Sequence, residues 1–133
     1  MATKLATIQK FAWGFAGLFL GVYLLDYVPG IMDENGLMFG LFKMTRIVDL
    51  GHLGAGALGV VGALSGPRAA RVYFWVLGVW YSVDVAVYFV SHLQTIALTR
   101  NLLVNLPHIL ILAAAFWIAL KVSRTPAGSA VPA

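Results

Sequence analysis

Two short motifs place a polar side chain and a histidine three residues apart within stretches that are otherwise apolar. The first is Asp49-x-x-His52, and the second is Asn105-x-x-His108. A further ionisable residue, Asp84, lies inside a third apolar stretch. Imidazole and carboxylate groups ligate metals, hold haem iron and carry protons, and ionisable groups at membrane depth are functional candidates by default. These five residues are therefore the candidates for chemistry.

The composition of the chain is that of a membrane protein. Hydrophobic residues make up 61% of its 133 residues and charged residues only 11%, against about 45–50% and about 25% in soluble domains. The absence of cysteine excludes disulfides, zinc–thiolate sites, iron–sulfur clusters and thiol catalysis. The basic residues behind the net charge of +4 lie at segment ends and form no patch, so no nucleic-acid partner is expected.

Four apolar segments are long enough to cross a bilayer, which takes about 20 residues. The sequence therefore predicts an all-α membrane protein, a four-transmembrane-helix bundle within residues 1–122. The predicted helices span 6–28, 45–64, 69–91 and 99–122. The small, polar and Pro-rich tail 123–133 is predicted to be disordered.

Lysine and arginine are distributed unevenly between the two ends of the predicted bundle. Three lie at one end, and six lie at the other, namely Lys4, Lys10, Arg68, Arg71, Lys121 and Arg124. The positive-inside rule then predicts that both termini are cytoplasmic. All five acidic residues and all three histidines are expected toward the opposite side of the membrane.

The histidine motifs also indicate an internal repeat. A shift of 56 residues, from Asp49 to Asn105, aligns DLGHLGAGAL with NLPHILILAA, and a Thr-Arg pair precedes each block. We therefore predict two tandem two-helix hairpins related by a pseudo-twofold axis along the membrane normal. Thr45 and Thr99 are expected to cap the second and fourth helices by accepting hydrogen bonds from backbone N–H groups.

Helical spacing places the polar residues on narrow faces with small neighbours. One stripe holds Asp49, His52, Gly56, Gly59 and Ala63, and another holds Asn101, Asn105, His108, Leu112 and Ala115. Gly17 and Gly21 add a GxxxG motif to the first helix. Because small residues let helix backbones approach closely in lipid, these faces are expected to pack inside the bundle. His52 and His108 then lie at similar depth, roughly 10–13 Å from the helix starts at 1.5 Å per residue.

Four interpretations of the polar residues are open. In the first, the Asp49–His52 and Asn105–His108 pairs are structural hydrogen-bonding ties. In the second, His52 and His108 are the axial ligands of a b-type haem, oriented by Asp49 and Asn105. In the third, a divalent or transition metal is bound by Asp49, His52, Asp84 and His108. In the fourth, Asp84 and the histidines belong to a proton or ion pathway.

Asp84 has several candidate partners along the chain. A buried carboxyl group is either kept neutral or stabilised by hydrogen bonds and opposite charges. Groups within reach by helical spacing, or from neighbouring segments, are Tyr81, Ser82, Tyr88, Arg46 and Arg100.

Two stretches resemble a bacterial four-span membrane family of the domain-of-unknown-function type. They are YVPGIMDENGLMFGLFKMTRIVDLGHLGAGALGVVGAL and, after a third span, RNLLVNLPHILILAAAFWIAL. The resemblance covers most of residues 20–121 and consists of the GLMFGLF loop and an Asn/Asp-x-x-His motif at the head of the second and fourth helices. The first copy has Asp49 where Asn is more typical. The resemblance implies the four-span fold and a bacterial inner (cell) membrane, and it implies no reaction.

These observations favour a protein that is not an enzyme. With little chain outside the membrane, it is expected to be a small structural or accessory subunit. Its expected partners are the lipid bilayer and either other membrane subunits or further copies of itself. The alternative is a haem- or metal-binding redox protein that uses His52 and His108 as ligands.

Overall fold

The computed structural model describes residues 4–126, which form four long helices. These are α1 (Thr7–Leu25), α2 (Arg46–Ser65), α3 (Pro67–Ser91) and α4 (Leu98–Lys121). All four are long and apolar enough to span a membrane. The predicted all-α, four-helix membrane fold is therefore confirmed. Most of the tail predicted to be disordered, residues 127–133, lies outside the described residues. Within the described part of this tail, Pro126 forms an isolated antiparallel bridge with Ala6.

The helix boundaries differ from the sequence prediction by up to three residues, and local contacts explain the differences at the end of α1 and the start of α4. The first helix ends at Leu25, because the next residues close tighter turns in which Tyr27 N donates to Leu24 O. Pro29 follows, and the residue before a proline is disfavoured in helical conformation. The fourth helix begins at Leu98 with Ala97 as its N-cap and no side-chain cap, so the predicted role of Thr99 is wrong.

The predicted cap at the start of α2 is confirmed. Thr45 has extended backbone, and its hydroxyl oxygen accepts a hydrogen bond from Val48 N at 3.3 Å. The bond satisfies one of the N–H groups that have no partner within the helix. It fixes where α2 begins and therefore how deep the next residues of the helix lie.

The loop between α1 and α2 contains a small hairpin that the sequence did not predict. Its strands, β1 (Leu37–Met38) and β2 (Phe42–Lys43), pair in antiparallel register. Just before β1, the Asp33 carboxylate accepts hydrogen bonds from two backbone N–H groups, Asn35 N and Leu37 N, at 2.8 Å each. The hairpin therefore holds the apolar loop in a defined position at one end of the bundle. We call this the hairpin end of the bundle. The opposite end, where α1 begins and α4 ends, is called the terminal end.

The helices pack mainly as two antiparallel hairpins. The largest contacts join α1 to α2 and α3 to α4, and smaller contacts join α3 to α2 and to α1. At the tight turn between α2 and α3, Gly66 has a φ of 110°, a conformation suited to glycine, and Pro67 begins α3. The arrangement matches two tandem hairpins, while the duplication itself stays a prediction.

Close contact between α1 and α2 depends on two glycines of the predicted stripe. A methyl group on Gly56 would lie 2.6 Å from Leu20 Cγ, and one on Gly59 would lie 3.1 Å from Ala16 Cβ. Both glycines are buried, as is Ala63 farther along the helix. Small residues thus bring the two backbones together, as expected for helices packed in lipid.

The GxxxG motif of α1 does not pack inside the bundle. Gly17 and Gly21 are exposed, and a methyl group built on either would meet nothing within 4 Å. Gly14 is equally open and lies on the same helical face. The expectation that this motif packs within the chain is therefore wrong, because α1 turns its alanines, Ala12 and Ala16, toward the core instead.

Side-chain contacts also join elements at the terminal end. Gln9 Nε2 donates to Ala63 O at 2.7 Å, and its Oε1 accepts from Ala6 N at 3.0 Å. The Arg71 guanidinium donates to the backbone carbonyl of Val122. Rings of α1 and α4 also meet here: Phe11 and Trp117 pack edge to face with centroids 6.4 Å apart.

Candidate functional site: a groove with a polar floor

A groove of about 650 Å³ lies at the hairpin end, between α1 and α4. The α1 helix packs mainly on α2, and α4 packs mainly on α3, whereas α1 and α4 have little contact with each other. The space between them is therefore open, and the β1–β2 hairpin lines it. Its walls are mostly apolar and include Val22, Met38, Phe42 and Val104. We call this space the groove.

An Asp–His pair lines the groove, and we call these two side chains its floor. His108 Nδ1 lies 2.8 Å from Asp84 Oδ2, which joins α4 to α3. Both side chains line the groove and keep partial exposure, 46% for Asp84 and 29% for His108. Asp84 lies about 10 Å along α3 from the hairpin-end terminus of that helix, at 1.5 Å per residue. An ionisable pair thus faces a cavity at membrane depth, where such groups are usually functional.

None of the partners considered for Asp84 in the sequence is its partner in the structure. Ser82 Oγ donates instead to Gly78 O, within its own helix. His108, which the metal-site interpretation groups with Asp84, lies 24 residues away along the chain, and neither helical spacing nor charge pattern identifies it as the hydrogen-bond partner. The finding corrects the prediction and identifies an interhelical pair in the groove.

Asn105, the polar member of the second histidine motif, makes its hydrogen bonds within α4. Asn105 is buried on α4, where its side-chain amide donates to Asn101 O at 2.8 Å and to Asn101 Oδ1 at 3.0 Å. Asn101 Nδ2 in turn donates to Phe89 O. Asn105 therefore ties α4 to the end of α3 through Asn101, rather than through His108.

His52 is buried beside the groove with unused hydrogen-bonding capacity. It is 8% exposed, and its Nδ1 has no hydrogen-bond partner among the described residues. Its ring lies 6.2 Å from the Phe19 ring at an interplanar angle of 25°. Asp49, one turn away, accepts a hydrogen bond from Tyr27 and none from His52. A buried polar atom without a partner calls for a ligand, a water or a structural reason.

Aromatic rings connect the two histidines. Phe19 stacks on His52 and also on Tyr81, with 5.8 Å between the Phe19 and Tyr81 centroids. Tyr81 meets His108 edge to face at 4.8 Å. Two axial ligands of one haem need open space between them. Phe19 and Tyr81 connect these imidazoles through ring contacts, while both histidines also line the groove, so haem ligation by the pair stays a prediction.

The four side chains predicted as metal ligands are not gathered at one point. Among residues 4–126 no three His, Asp or Glu side chains are grouped closely enough to hold a metal ion. Asp84 and His108 form one pair, while Asp49 is directed toward Asp26 and Tyr27 at the end of α1. His92 caps α3, with its ring stacked on Tyr88.

Two carboxyl groups, those of Asp26 and Asp49, interact at the hairpin end. Each has one buried carboxyl oxygen without a hydrogen-bond partner among the described residues. Burial, together with a hydrogen bond and the negative charge of Asp49, raises the pKa of Asp26 to about 6. A neighbouring carboxylate of the same charge favours the protonated form of Asp26. The sequence analysis did not single out Asp26, since nothing in its local pattern sets it apart.

We expect the Asp26→Asn substitution to flatten the dependence of stability on pH. Since the Asp26 pKa is raised from 3.8 to about 6, the folded state binds this proton more tightly than the unfolded state. The stability it contributes is complete below the unfolded pKa and is lost as pH rises through about 6. The asparagine variant should therefore be more stable than the parent by about 1 kcal/mol near neutral pH, a value reduced for partial exposure.

The measurement is thermal unfolding in detergent across the range of about pH 4 to 8 that brackets this titration. Glu34→Gln, which removes an exposed carboxylate from the same loop, is the matched control. Parallel pH curves for the parent and Asp26→Asn would mean that Asp26 does not titrate abnormally.

No protein-family model matches the chain, and no curated protein or solved structure matches it either. The resemblance to a four-span bacterial family therefore stays a prediction. The functional argument depends on the groove and its floor.

Proposed function

We propose that this protein binds one amphipathic molecule of the membrane in the groove, without catalysing a reaction on it. The observation that carries the proposal is the Asp84–His108 pair, which lines a mostly apolar groove at membrane depth. A ligand with an apolar body and a polar group would complement both surfaces. The buried, unpartnered nitrogen of His52 beside the floor supports the same proposal.

The size and character of the groove support a small-molecule ligand. Its volume of about 650 Å³ lies within the range of about 300–1,000 Å³ that is usual for ligand sites. Such sites combine apolar walls with a few convergent polar groups that orient the ligand. Because the groove opens between α1 and α4, a molecule dissolved in the bilayer can enter from the side.

Blocking the groove tests this proposal. Val104 lines the groove on α4, whereas its neighbour Leu103 is exposed and does not line it. We expect Val104→Trp to reduce the occupancy of a co-purifying lipid-soluble molecule at least fivefold, by filling the space that the molecule needs. Native mass spectrometry of protein extracted gently from its own membranes measures that occupancy.

Leu103→Trp is the matched control, since it adds the same side chain one residue away on the outer surface of the same helix. It should leave the bound mass unchanged. If both variants carry the same ligand complement as the parent, or if the parent carries none, the groove is not a ligand site.

A second candidate function is that of a small subunit that associates through α1. The observation that favours it is the open stripe of Gly14, Gly17 and Gly21, a small-residue face of the kind that brings helices together in lipid. This role is a separate proposal from ligand binding, because none of the three glycines lines the groove.

Bulky residues on the stripe test the subunit role. We expect the Gly17→Ile/Gly21→Ile variant to abolish association with itself or with another membrane protein, since the side chains would separate the helix backbones. Chemical cross-linking in native membranes, read as loss of the cross-linked species, measures it. Gly54→Ile, on an equally open position of α2, is the control. Cross-linking that survives the double variant would exclude this face.

A further inference from the structure

We infer that the polar end of the bound molecule is an uncharged ring with carbonyl or hydroxyl groups, as in a lipid-soluble quinone or its quinol. The inference rests on the proposed function, because it concerns what the groove binds. It is argued from the charge of the floor, from the hydrogen bonds left open there and from the rings of the walls.

The charge of the floor favours an uncharged group. Asp84 and His108 pair with each other, so their opposite charges balance when both are ionised. A charged ligand group beside them would lie in a low-dielectric site without a counter-ion, which is costly. The fixed cations that line the groove, Lys43 and Arg100, lie in the hairpin and near the start of α4, away from the floor.

The hydrogen bonds left open by the pair suit a group that either accepts or donates. His108 Nδ1 is engaged by Asp84 Oδ2, which directs the Nδ1 proton to the carboxylate and leaves Nε2 for a ligand. Nε2 accepts a bond from a hydroxyl when the imidazole is neutral and donates one to a carbonyl when it is protonated. A quinol presents hydroxyl groups and a quinone presents carbonyl groups, so both forms have a partner.

The walls present rings to a flat ligand group. Phe19, Phe42 and Tyr88 line the groove, and Tyr88 is itself stacked on His92 at 4.1 Å. Aromatic faces and edges pack favourably against a planar ring. Aliphatic side chains that also line the groove, such as Val22 and Leu25, would contact an apolar tail.

Binding of three compounds that each contain a ten-carbon chain tests the inference. They are a benzoquinone, a benzene ring without polar groups and decanoate, each titrated into the full-length protein in nanodiscs by equilibrium dialysis. We expect the quinone to bind at least about tenfold more tightly than the alkylbenzene, the factor that corresponds to one good hydrogen bond. Decanoate should bind more weakly than the quinone.

The variant for this test removes both members of the floor pair. Asp84→Leu/His108→Phe leaves no unpaired ionisable group behind, so the fold should persist. We expect it to lose about tenfold in affinity for the quinone and to bind the alkylbenzene as the parent does. Circular dichroism of the variant confirms that it is folded.

The outcomes separate this inference from the proposed function. If the quinone and the alkylbenzene bind equally, or if decanoate binds most tightly, the assignment of the polar group is overturned while ligand binding stands. Equal losses for both ring compounds in the double variant would also overturn it. If the Val104→Trp variant binds all three compounds as the parent does, the groove itself is excluded.

Discussion

Replacing Gly59 by leucine is expected to separate α1 from α2 and to destabilise the protein by about 3 kcal/mol, the upper end for overpacked cores. A methyl group at this position would already lie 3.0 Å from Tyr73 Oη and 3.2 Å from Ala16 Cα. The Ala16 contact is with backbone, which cannot rotate away as a side chain can. Leucine adds further atoms to a site with no space, so the two helices must move apart.

The matched control for this effect is Gly54→Leu, on the same helix. Its position is exposed, and nothing lies within 4 Å of a methyl group built there. Because leucine also favours helix more than glycine does, the control should be neutral or slightly stabilising. Unfolding by SDS in mixed micelles, followed by circular dichroism, gives both values. Equal effects of the two substitutions would contradict the close packing of α1 on α2.

Removing one partner of the Asp84–His108 pair is expected to cost much more stability than removing both. In His108→Phe, the Asp84 carboxyl loses its partner at 2.8 Å and remains at membrane depth. Breaking a buried ion pair costs about 3–5 kcal/mol, and we expect about 2 kcal/mol here because both side chains keep partial exposure to the groove. Asp84→Leu/His108→Phe should be within about 1 kcal/mol of the parent, since no polar group is left unpaired.

The measurement is a double-mutant cycle of unfolding free energies, completed by the single Asp84→Leu variant. The two single losses should add up to clearly more than the loss in the double variant. Strict additivity would show that the two groups do not interact in the folded protein. The cycle also supports the ligand experiments, because it establishes independently that the double variant is folded.

The sequence was sufficient for the fold because its signals are local or periodic. Composition and the lengths of the apolar segments predict the four helices, and Thr45 has the expected capping residue type and position. The stripe of Gly56, Gly59 and Ala63 also identifies a buried face correctly, because helical periodicity alone places these residues together. None of these predictions needs to know which helices are neighbours.

The candidate site was predicted only in part, because its contacts join distant parts of the chain. His52 and His108 were both selected, and both line the groove. Their partners were not found: His108 pairs with Asp84 on another helix, while His52 stacks on Phe19. Similar depth favours the haem interpretation, but it does not specify which rings lie beside each histidine. The intervening rings depend on how α1 and α3 pack, which periodicity does not reveal.

Glycine motifs show the same limit. The GxxxG motif of Gly17 and Gly21 indicates a face suited to close helix contact, but the sequence does not specify the helix that covers it. In the structure α2 packs against Ala16 instead, and the glycines stay open. The residue type predicted the chemistry of the face correctly and its location in the bundle wrongly.

The contacts that join the two helical hairpins have a mechanical consequence. The Phe11–Trp117 contact and the turn at Gly66 join the hairpins at the terminal end. The two helical hairpins therefore resemble the arms of a pair of tweezers that are joined at this end. A small tilt between the arms changes the width of the groove most at the far end, where α1 and α4 are not joined. We therefore expect the width of the groove to depend on the lateral pressure of the surrounding lipid.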